Sequence, residues 1–258
     1  MKSLTEEIVE YWDRQPCNSR HSKANPDTTQ YWNEITARRY HVEPHIRDFA
    51  SFDQWRGQRV LEIGCGIGTD AEQFVRNGAI YTGIDISSKS IELCQKRFQM
   101  QGLDGRFICC DSADPDIVYE LGQFDLVYSM GVIHHSPRPQ EIVKNVYNLV
   151  KNTGEFRFLV YAENSWKSAM ISAGLDQYEA QDNCPYAETY DHDKIHWLVM
   201  GYFDIIDIRQ DHCFMYNVEE YRRGNYVLEP WFEAMPDTVR AAVKKYLGWH
   251  LCVKAIKK

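Results

Sequence analysis

The stretch Val60-Leu61-Glu62-Ile63-Gly64-Cys65-Gly66-Ile67-Gly68-Thr69-Asp70 constrains this chain more than any other. An apolar run stops abruptly at three glycines in alternate positions, the pattern of a buried strand opening into a tight loop almost without side chains. Glycine reaches positive φ freely and carries no Cβ, so such a loop lets its main chain lie against a ligand at the carboxyl edge of a sheet. In a dinucleotide-binding loop the third glycine stands three residues after the second, and a helix N-terminus is aimed at a pyrophosphate. Here Gly68 stands only two after Gly66, and the acid Glu62 would repel a phosphate while attracting an ammonium group. The expected ligand contains adenosine and presents a cation to this strand.

Further strands follow the loop. Ile80-Tyr81-Thr82-Gly83-Ile84-Asp85-Ile86 is a second apolar run, with Asp85 about 20 residues beyond the loop, where a carboxylate can grip two ribose hydroxyls. Arg106 to Cys110 runs into Asp111-Ser112, and Phe124 to Ser129 runs into Met130-Gly131-Val132-Ile133-His134-His135. Parallel strands place their carboxyl ends on one edge, so Glu62, Asp85 and Asp111 would converge there. Taken singly, each acid has a second reading as the cap of the helix that follows.

The order acid-x-Gly-x-Gly-x-Gly after an apolar strand resembles motif I of the class I S-adenosylmethionine-dependent methyltransferases, and the resemblance covers residues 58 to about 163. It implies an α/β, Rossmann-like, doubly wound sheet of seven strands, mostly parallel with an antiparallel last strand. The cofactor implied is S-adenosyl-L-methionine. Glu62 would serve its amino group, Gly64, Cys65, Gly66 and Gly68 its backbone cradle, Asp85 with Ile86 the ribose, and Asp111 with Ser112 the adenine edge. Met130 and Gly131 would lie beside the sulfonium.

The opening YWDRQPCNSRHS and the ending GWHLC also resemble free-standing bacterial methyltransferases of natural-product and ribosomal-peptide tailoring. That implies an oxygen acceptor, the carboxylate or hydroxyl of a small molecule or peptide, a peptide C-terminal carboxylate among them. An N- or S-acceptor in a small metabolite is the alternative. The N/D-P-P-Y/F motif of amino-base methylation is replaced by Ser129-Met130-Gly131-Val132, which disfavours nucleobase and amide acceptors.

One methyltransferase domain spanning 1–258 is expected, with a helical cap over 1–56, the cofactor-binding core over 57–163, and substrate-side insertions with the last two strands over 164–258. Ser3-Leu4-Thr5-Glu6 has the form of a capping box, predicting a helix to about Arg14 before Pro16. A second helix starts at Thr28 or Thr29 and carries Tyr31, Ile35 and Val42 before Pro44. A helix over Glu141 to Val150 precedes a turn at Asn152-Thr153-Gly154 and a fifth strand from Glu155 to Tyr161. The sixth strand is read over Phe203 to Arg209 and the antiparallel seventh over Trp249 to Ala255.

Methyl transfer from a sulfonium is a displacement in which positioning supplies much of the rate, so a base is needed only for a hydroxyl, phenol or protonated amine. His134 and His135 follow the fourth strand and are the candidate bases; either could instead bond a loop carbonyl or pack beneath the cap. Arg20 and His21 are candidates to hold an anionic acceptor, because a guanidinium meets carboxylates through two bonds. Arg38 and Arg39 have a second reading as helix residues paired with acids. Tyr11, Tyr31 and Tyr161 are candidates for the wall, with plain core as their alternative. His192 and His196, four apart, lack a third ligand at suitable spacing, and no metal is expected.

The formal net charge of -8 argues against a long nucleic acid as partner, which requires a basic face. The eight cysteines form no C-x-x-C pair and fit reduced thiols. With no long apolar segment and an acidic start at MKSLTEEIVE, a cytoplasmic protein without a membrane partner is expected. Its oligomeric state is not legible. Two other classes compete: a nicotinamide oxidoreductase, opposed by the glycine spacing, and a protein that binds the cofactor without transferring its methyl group.

Overall fold

Ser3 and Glu6 form the reciprocal capping box that their spacing predicts: the Glu6 amide donates to Ser3 Oγ at 3.3 Å, and the Ser3 amide donates to Glu6 Oε2 at 2.7 Å. They open α1 (Leu4–Arg14) in a computed structural model that describes residues 2–176, 184–223 and 225–258. Thr28 caps α2 (Thr29–Val42), and α3 (His45–Ala50) follows directly after Pro44.

The sheet contains β1 (Arg59–Ile63), β2 (Ile80–Asp85), β3 (Arg106–Cys109), β4 (Phe124–Met130), β5 (Val150–Ala162), β6 (Thr189–Tyr190), β7 (Phe203–Asp211) and β8 (His250–Lys257). Their order is β3-β2-β1-β4-β5-β8-β7, with β6 beside β5. Only β8 runs antiparallel to its two neighbours. The sheet therefore has eight strands where seven were expected. The extra one is the two-residue β6, which pairs with Tyr161 and Ala162 beyond the last β4 partner on β5, Leu159. A run so short, set in a polar stretch, has no alternating pattern to announce it.

The expected turn at Asn152-Thr153-Gly154 lies inside β5 instead. Gly154 explains why: a Cβ there would sit 2.9 Å from the Asp125 carbonyl oxygen, so glycine lets β5 run against β4 through a register shift.

Both faces of the sheet are covered, as a parallel sheet requires. Alternation along β1 sends Leu61 and Ile63 into one cluster, beside Ile142, Val143 and Val146 of α7 (Pro139–Leu149). Val60 faces the opposite cluster, which holds Ile46 and Phe49 of α3 and Phe74 of α4 (Thr69–Arg76), with Cys94 and Phe98 of α5 (Ser88–Gln101). Glu62 follows Val60 by two residues and is thereby drawn into the interior of that second face, 3 % exposed. No helix of the described residues is long and apolar enough to cross a membrane.

The N-terminal helices are fastened to the sheet by polar contacts. Asp13 accepts from Ser87 Oγ at 2.8 Å and from the Lys89 amide at 3.0 Å, so the end of α1 caps the start of α5. The buried Arg97 donates to Glu72 Oε2 at 2.7 Å, to Thr69 Oγ1 at 3.0 Å and to Thr36 Oγ1. One guanidinium thus ties α5, α4 and α2 together behind the glycine loop.

Candidate active site

The carboxyl edge of the sheet holds a cavity of about 280 Å³ where β1 and β4 diverge, the point at which the strand order reverses. Of the residues singled out above, Glu62, Gly64, Cys65, Gly66, Asp85, Ile86, Asp111, Ser112, Met130, His135, Arg20, His21 and Tyr161 all line it.

Four do not. Gly68 caps α4 and faces inward, where a Cβ would come 2.5 Å from Cys94 Sγ. Tyr11 is buried with its ring edge-on to Trp12, and Trp12 takes the place on the wall. Tyr31 donates its hydroxyl to the Ser19 carbonyl at 2.5 Å and packs with Trp32, Ile35 and Ile67, holding the cap together. His134 is fully buried, 3.8 Å from the Tyr161 ring centre to centre, and neither ring nitrogen has a hydrogen-bond partner among the described residues. Burial holds it well below the usual imidazole range and hence neutral. It sits behind the wall that Tyr161 presents.

The glycine loop and the acids form one construction. Gly66 has φ +51°, and a Cβ on it would meet nothing within 4 Å, so open space lies in front of this backbone. Its amide donates to Asp85 Oδ2 at 2.8 Å, while the Ser87 amide donates to Asp85 Oδ1 at 2.9 Å. Even so, burial pushes the Asp85 carboxyl up to about 6.

Glu62 accepts from the Tyr81 hydroxyl at 2.5 Å. Burial, reinforced by the Asp70 carboxylate, holds its carboxyl well above the ordinary range. Asp70 accepts from Tyr40 at 2.8 Å and from Tyr128 at 3.0 Å. These two buried acids held by tyrosines face one cavity together with Arg39, which also serves Glu43; a further cation would complete the balance of charge.

Asp111 accepts from the Ala113 amide at 2.8 Å and pairs with Arg138 at 2.5 Å. Across the cavity, His135 Nδ1 lies 2.8 Å from the Tyr186 carbonyl oxygen. That contact assigns the proton to Nδ1 and leaves Nε2 as the basic nitrogen. On the cap, burial and then Arg38 and Arg20 push His21 down to about 3. Arg38 lies 4.0 Å over the Tyr226 ring, whereas Arg39 is paired with Glu43 at 2.5 Å. Lys167 is buried beside Trp249, and burial lowers its ammonium below the usual range.

The sequence reading passed over Asp70, although it closes the motif itself. Two residues past Gly68, it falls in the first turn of α4 and points back into the cavity. His212 and His250 were also missed. A parallel strand delivers its last residue to this edge, but an antiparallel strand delivers its first. His250 begins β8 opposite Asp211 and Tyr161, and His212 directly follows β7. Noting which end of the last strand meets the edge would have singled both out.

Residues 61–158 match the protein family described as methyltransferase domain. Among curated proteins, the ubiquinone biosynthesis O-methyltransferase of Coxiella burnetii (strain RSA 493 / Nine Mile phase I) is 31% identical over 109 residues, covering 42% of this chain and 46% of that protein. The enzyme of the same name from Escherichia coli O7:K1 is 30% identical over 119 residues, covering 45% and 49%. The chain thus spans about half the length of the curated relatives it matches. Among solved structures, magnesium protoporphyrin IX methyltransferase from Synechocystis PCC 6803 with bound SAH superposes with a TM-score of 0.61 at 14% identity, over 99% of this chain and 100% of that one. Geranyl diphosphate C-methyltransferase from Streptomyces coelicolor A3(2) superposes with a TM-score of 0.61 at 12% identity, over 100% and 98%. These likenesses show the fold, an α/β Rossmann-like sheet of the kind these methyltransferases share.

Proposed function

We propose that this chain, whose residues 61–158 match the methyltransferase domain family, moves a methyl group from S-adenosyl-L-methionine to an oxygen of a small anionic molecule or peptide. One observation carries the reading: Glu62, Asp70 and Asp85 converge on open space before the Gly66 backbone. Arg39, shared with Glu43, offsets only part of this buried negative charge, and a ligand that brings an ammonium and a vicinal diol answers the donor set.

Glu62 and Asp70 would hold the amino group, Asp85 the two ribose hydroxyls and Asp111 with Ser112 the adenine edge. When bound, the cofactor supplies a methyl group on a positively charged sulfur. Met130 and Gly131 would form the floor beside it. The chain itself binds, orients and excludes water, since Trp12 and Ile8 of the cap close over the same cavity as the glycine loop.

The acceptor side supports an anion. Arg20, Arg38 and Lys167 line the cavity together with Tyr161, Trp249 and Tyr226. Guanidinium groups recognise carboxylates through paired hydrogen bonds, and aromatic rings flank a planar or peptide acceptor. The O-methyltransferase relatives favour oxygen as the receiving atom. For a hydroxyl acceptor, His135 would take the proton on Nε2; a carboxylate acceptor arrives without one, and His135 then only orients it.

Incubating the full chain with a metabolite extract and isotope-labelled methyl donor, followed by mass spectrometry, tests the reading. A labelled ester or ether on an acidic compound is the expected product. Label transferred only to nitrogen or sulfur, or to no compound, contradicts it.

A further inference from the structure

Three histidines from distant parts of the chain meet beside the cavity, and two of them, His212 and His250, line it. His45 is the first residue of α3, His250 the first of β8, and His212 follows the end of β7. One ring nitrogen from each lies within 4.8 Å of those of the other two, and His45 Nε2 stands 3.0 Å from His250 Nδ1. The first and last are buried, and His212 is half-buried. We propose that His45, His212 and His250 bind one divalent transition-metal ion of borderline softness, zinc being the type, with an open coordination position facing the cavity.

The chemistry of the donors favours this. Neutral imidazole suits zinc, copper, nickel and iron, whereas magnesium and calcium demand oxygen. Zinc–nitrogen bonds of about 2.0 to 2.1 Å place tetrahedral ligands about 3.4 Å apart, so the ion would take the place of the proton in the 3.0 Å hydrogen bond between His45 and His250 and part the two nitrogens slightly. His212 must rotate from its present packing on the His250 ring, whose centre is 4.5 Å away. Three protein nitrogens with a fourth position left open is the arrangement of sites that bind a further oxygen ligand.

The surroundings fix the backbone from which the His212 ring would turn. His212 has φ +67°, a conformation that costs a residue with a side chain about 1 to 3 kcal/mol unless its neighbours enforce it. They do: its carbonyl accepts from the Trp249 amide at 2.8 Å and from the Trp166 indole at 3.0 Å, and its amide donates to Asp211 at 2.8 Å. His250 Nε2 lies 3.7 Å from Glu43 Oε1, so a carboxylate stands behind this imidazole on the side away from His45. A small approach of Glu43 would bring it to hydrogen-bond distance, the contact by which carboxylates orient histidine ligands. Glu43 and Asp211 offset the nearby cations Arg39 and Lys167.

His212, His250 and Glu43 line the same cavity as the donor loop, so an ion there would receive an oxygen of the acceptor. That role rests on the methyl-transfer reading. The metal site does not.

Calorimetric titration of the chelator-treated full chain with zinc chloride tests the site, and SAH titrated into the same samples reports the donor pocket and an intact fold. One zinc ion per chain is expected, with no comparable binding of magnesium. His212→Asn and His250→Ala should weaken zinc on the order of 100-fold while SAH binding persists. His192→Ala, on an exposed helix away from the cavity, should leave zinc binding unchanged. Cobalt(II) added to the wild-type chain should give the visible absorption of a nitrogen-ligated tetrahedral ion, displaced by zinc. A wild-type chain that takes up no stoichiometric zinc, or a folded His212→Asn chain that binds it unchanged, overturns the proposal. Zinc uptake without SAH binding would uphold the metal site and count against the donor reading.

Discussion

The Gly66 amide donates to Asp85 Oδ2 at 2.8 Å, so the glycine loop after β1 and the acid at the tip of β2 are one rigid unit. The carboxylate that would grip a ribose is fixed by the same backbone that would lie along the ligand. Its second oxygen is fixed by the Ser87 amide, which leaves little freedom in where the acid points.

Asp85 should make donor binding depend on pH. Its folded carboxyl titrates at about 6 against a usual 3.8, so the empty protein binds a proton more readily than the unfolded chain and loses stability as pH rises between those values. Hydroxyls of a ribose bond best to the ionised form, so SAH affinity should rise with pH through about 6. Asp85→Asn should flatten this rise, and Asp85→Ala should cost about 1 to 3 kcal/mol of binding at neutral pH. Calorimetry at several pH values checks both; an equally steep profile in Asp85→Asn counts against the assignment.

The glycines should separate into two roles. Gly68→Ala places a Cβ 2.5 Å from Cys94 Sγ at φ +79°, so its cost should appear as a lowered melting temperature. Gly66→Ala meets no neighbour within 4 Å and carries mainly backbone strain of about 1 to 2 kcal/mol, yet it projects into the cavity. It should lose more SAH affinity for each degree of melting temperature than Gly68→Ala does. Thermal unfolding with and without SAH reads the difference, and the opposite ranking would refute it.

Asp70→Asn keeps the shape of the side chain and one acceptor oxygen while removing its charge. Repulsion with Glu62 is relieved while attraction to Arg39 is lost, so the variant should stay folded and lose roughly 1.5 to 3 kcal/mol of SAH affinity through the missing charge-assisted bond. An unchanged affinity would mean that the ammonium is held elsewhere.

His135→Gln should lower the rate of transfer to a hydroxyl acceptor by about 100-fold to 10,000-fold and leave SAH affinity alone. With a carboxylate acceptor the loss should be small. Single-turnover rates with the acceptor identified by mass spectrometry distinguish the cases, and full activity on a hydroxyl would remove His135 as a base.

Much of the proposed donor half was legible because its signals are local. The loop spacing, the strands and the acids that close them lie in one continuous segment, and Glu62, Asp85 and Asp111 do meet at one edge. The acceptor half was not, because it is assembled from α1, α2, β5, the turn after β7 and the start of β8. Tyr31 and His134 show the limit of reasoning from residue type: each is a fitting wall residue in sequence, and each packs behind the wall. His45, His212 and His250 share no spacing at all, and only the antiparallel pairing of β8 with β5 and β7 brings the last two together.

Calorimetry of the purified full chain with SAH and, separately, with NADH tests the central claim most directly. Binding of one SAH per chain with no heat from NADH is predicted. Uptake of NADH, or no binding of SAH at any pH from 6 to 8 in a folded sample, would contradict an activated-methyl donor lying along the Gly66 backbone among Glu62, Asp70 and Asp85.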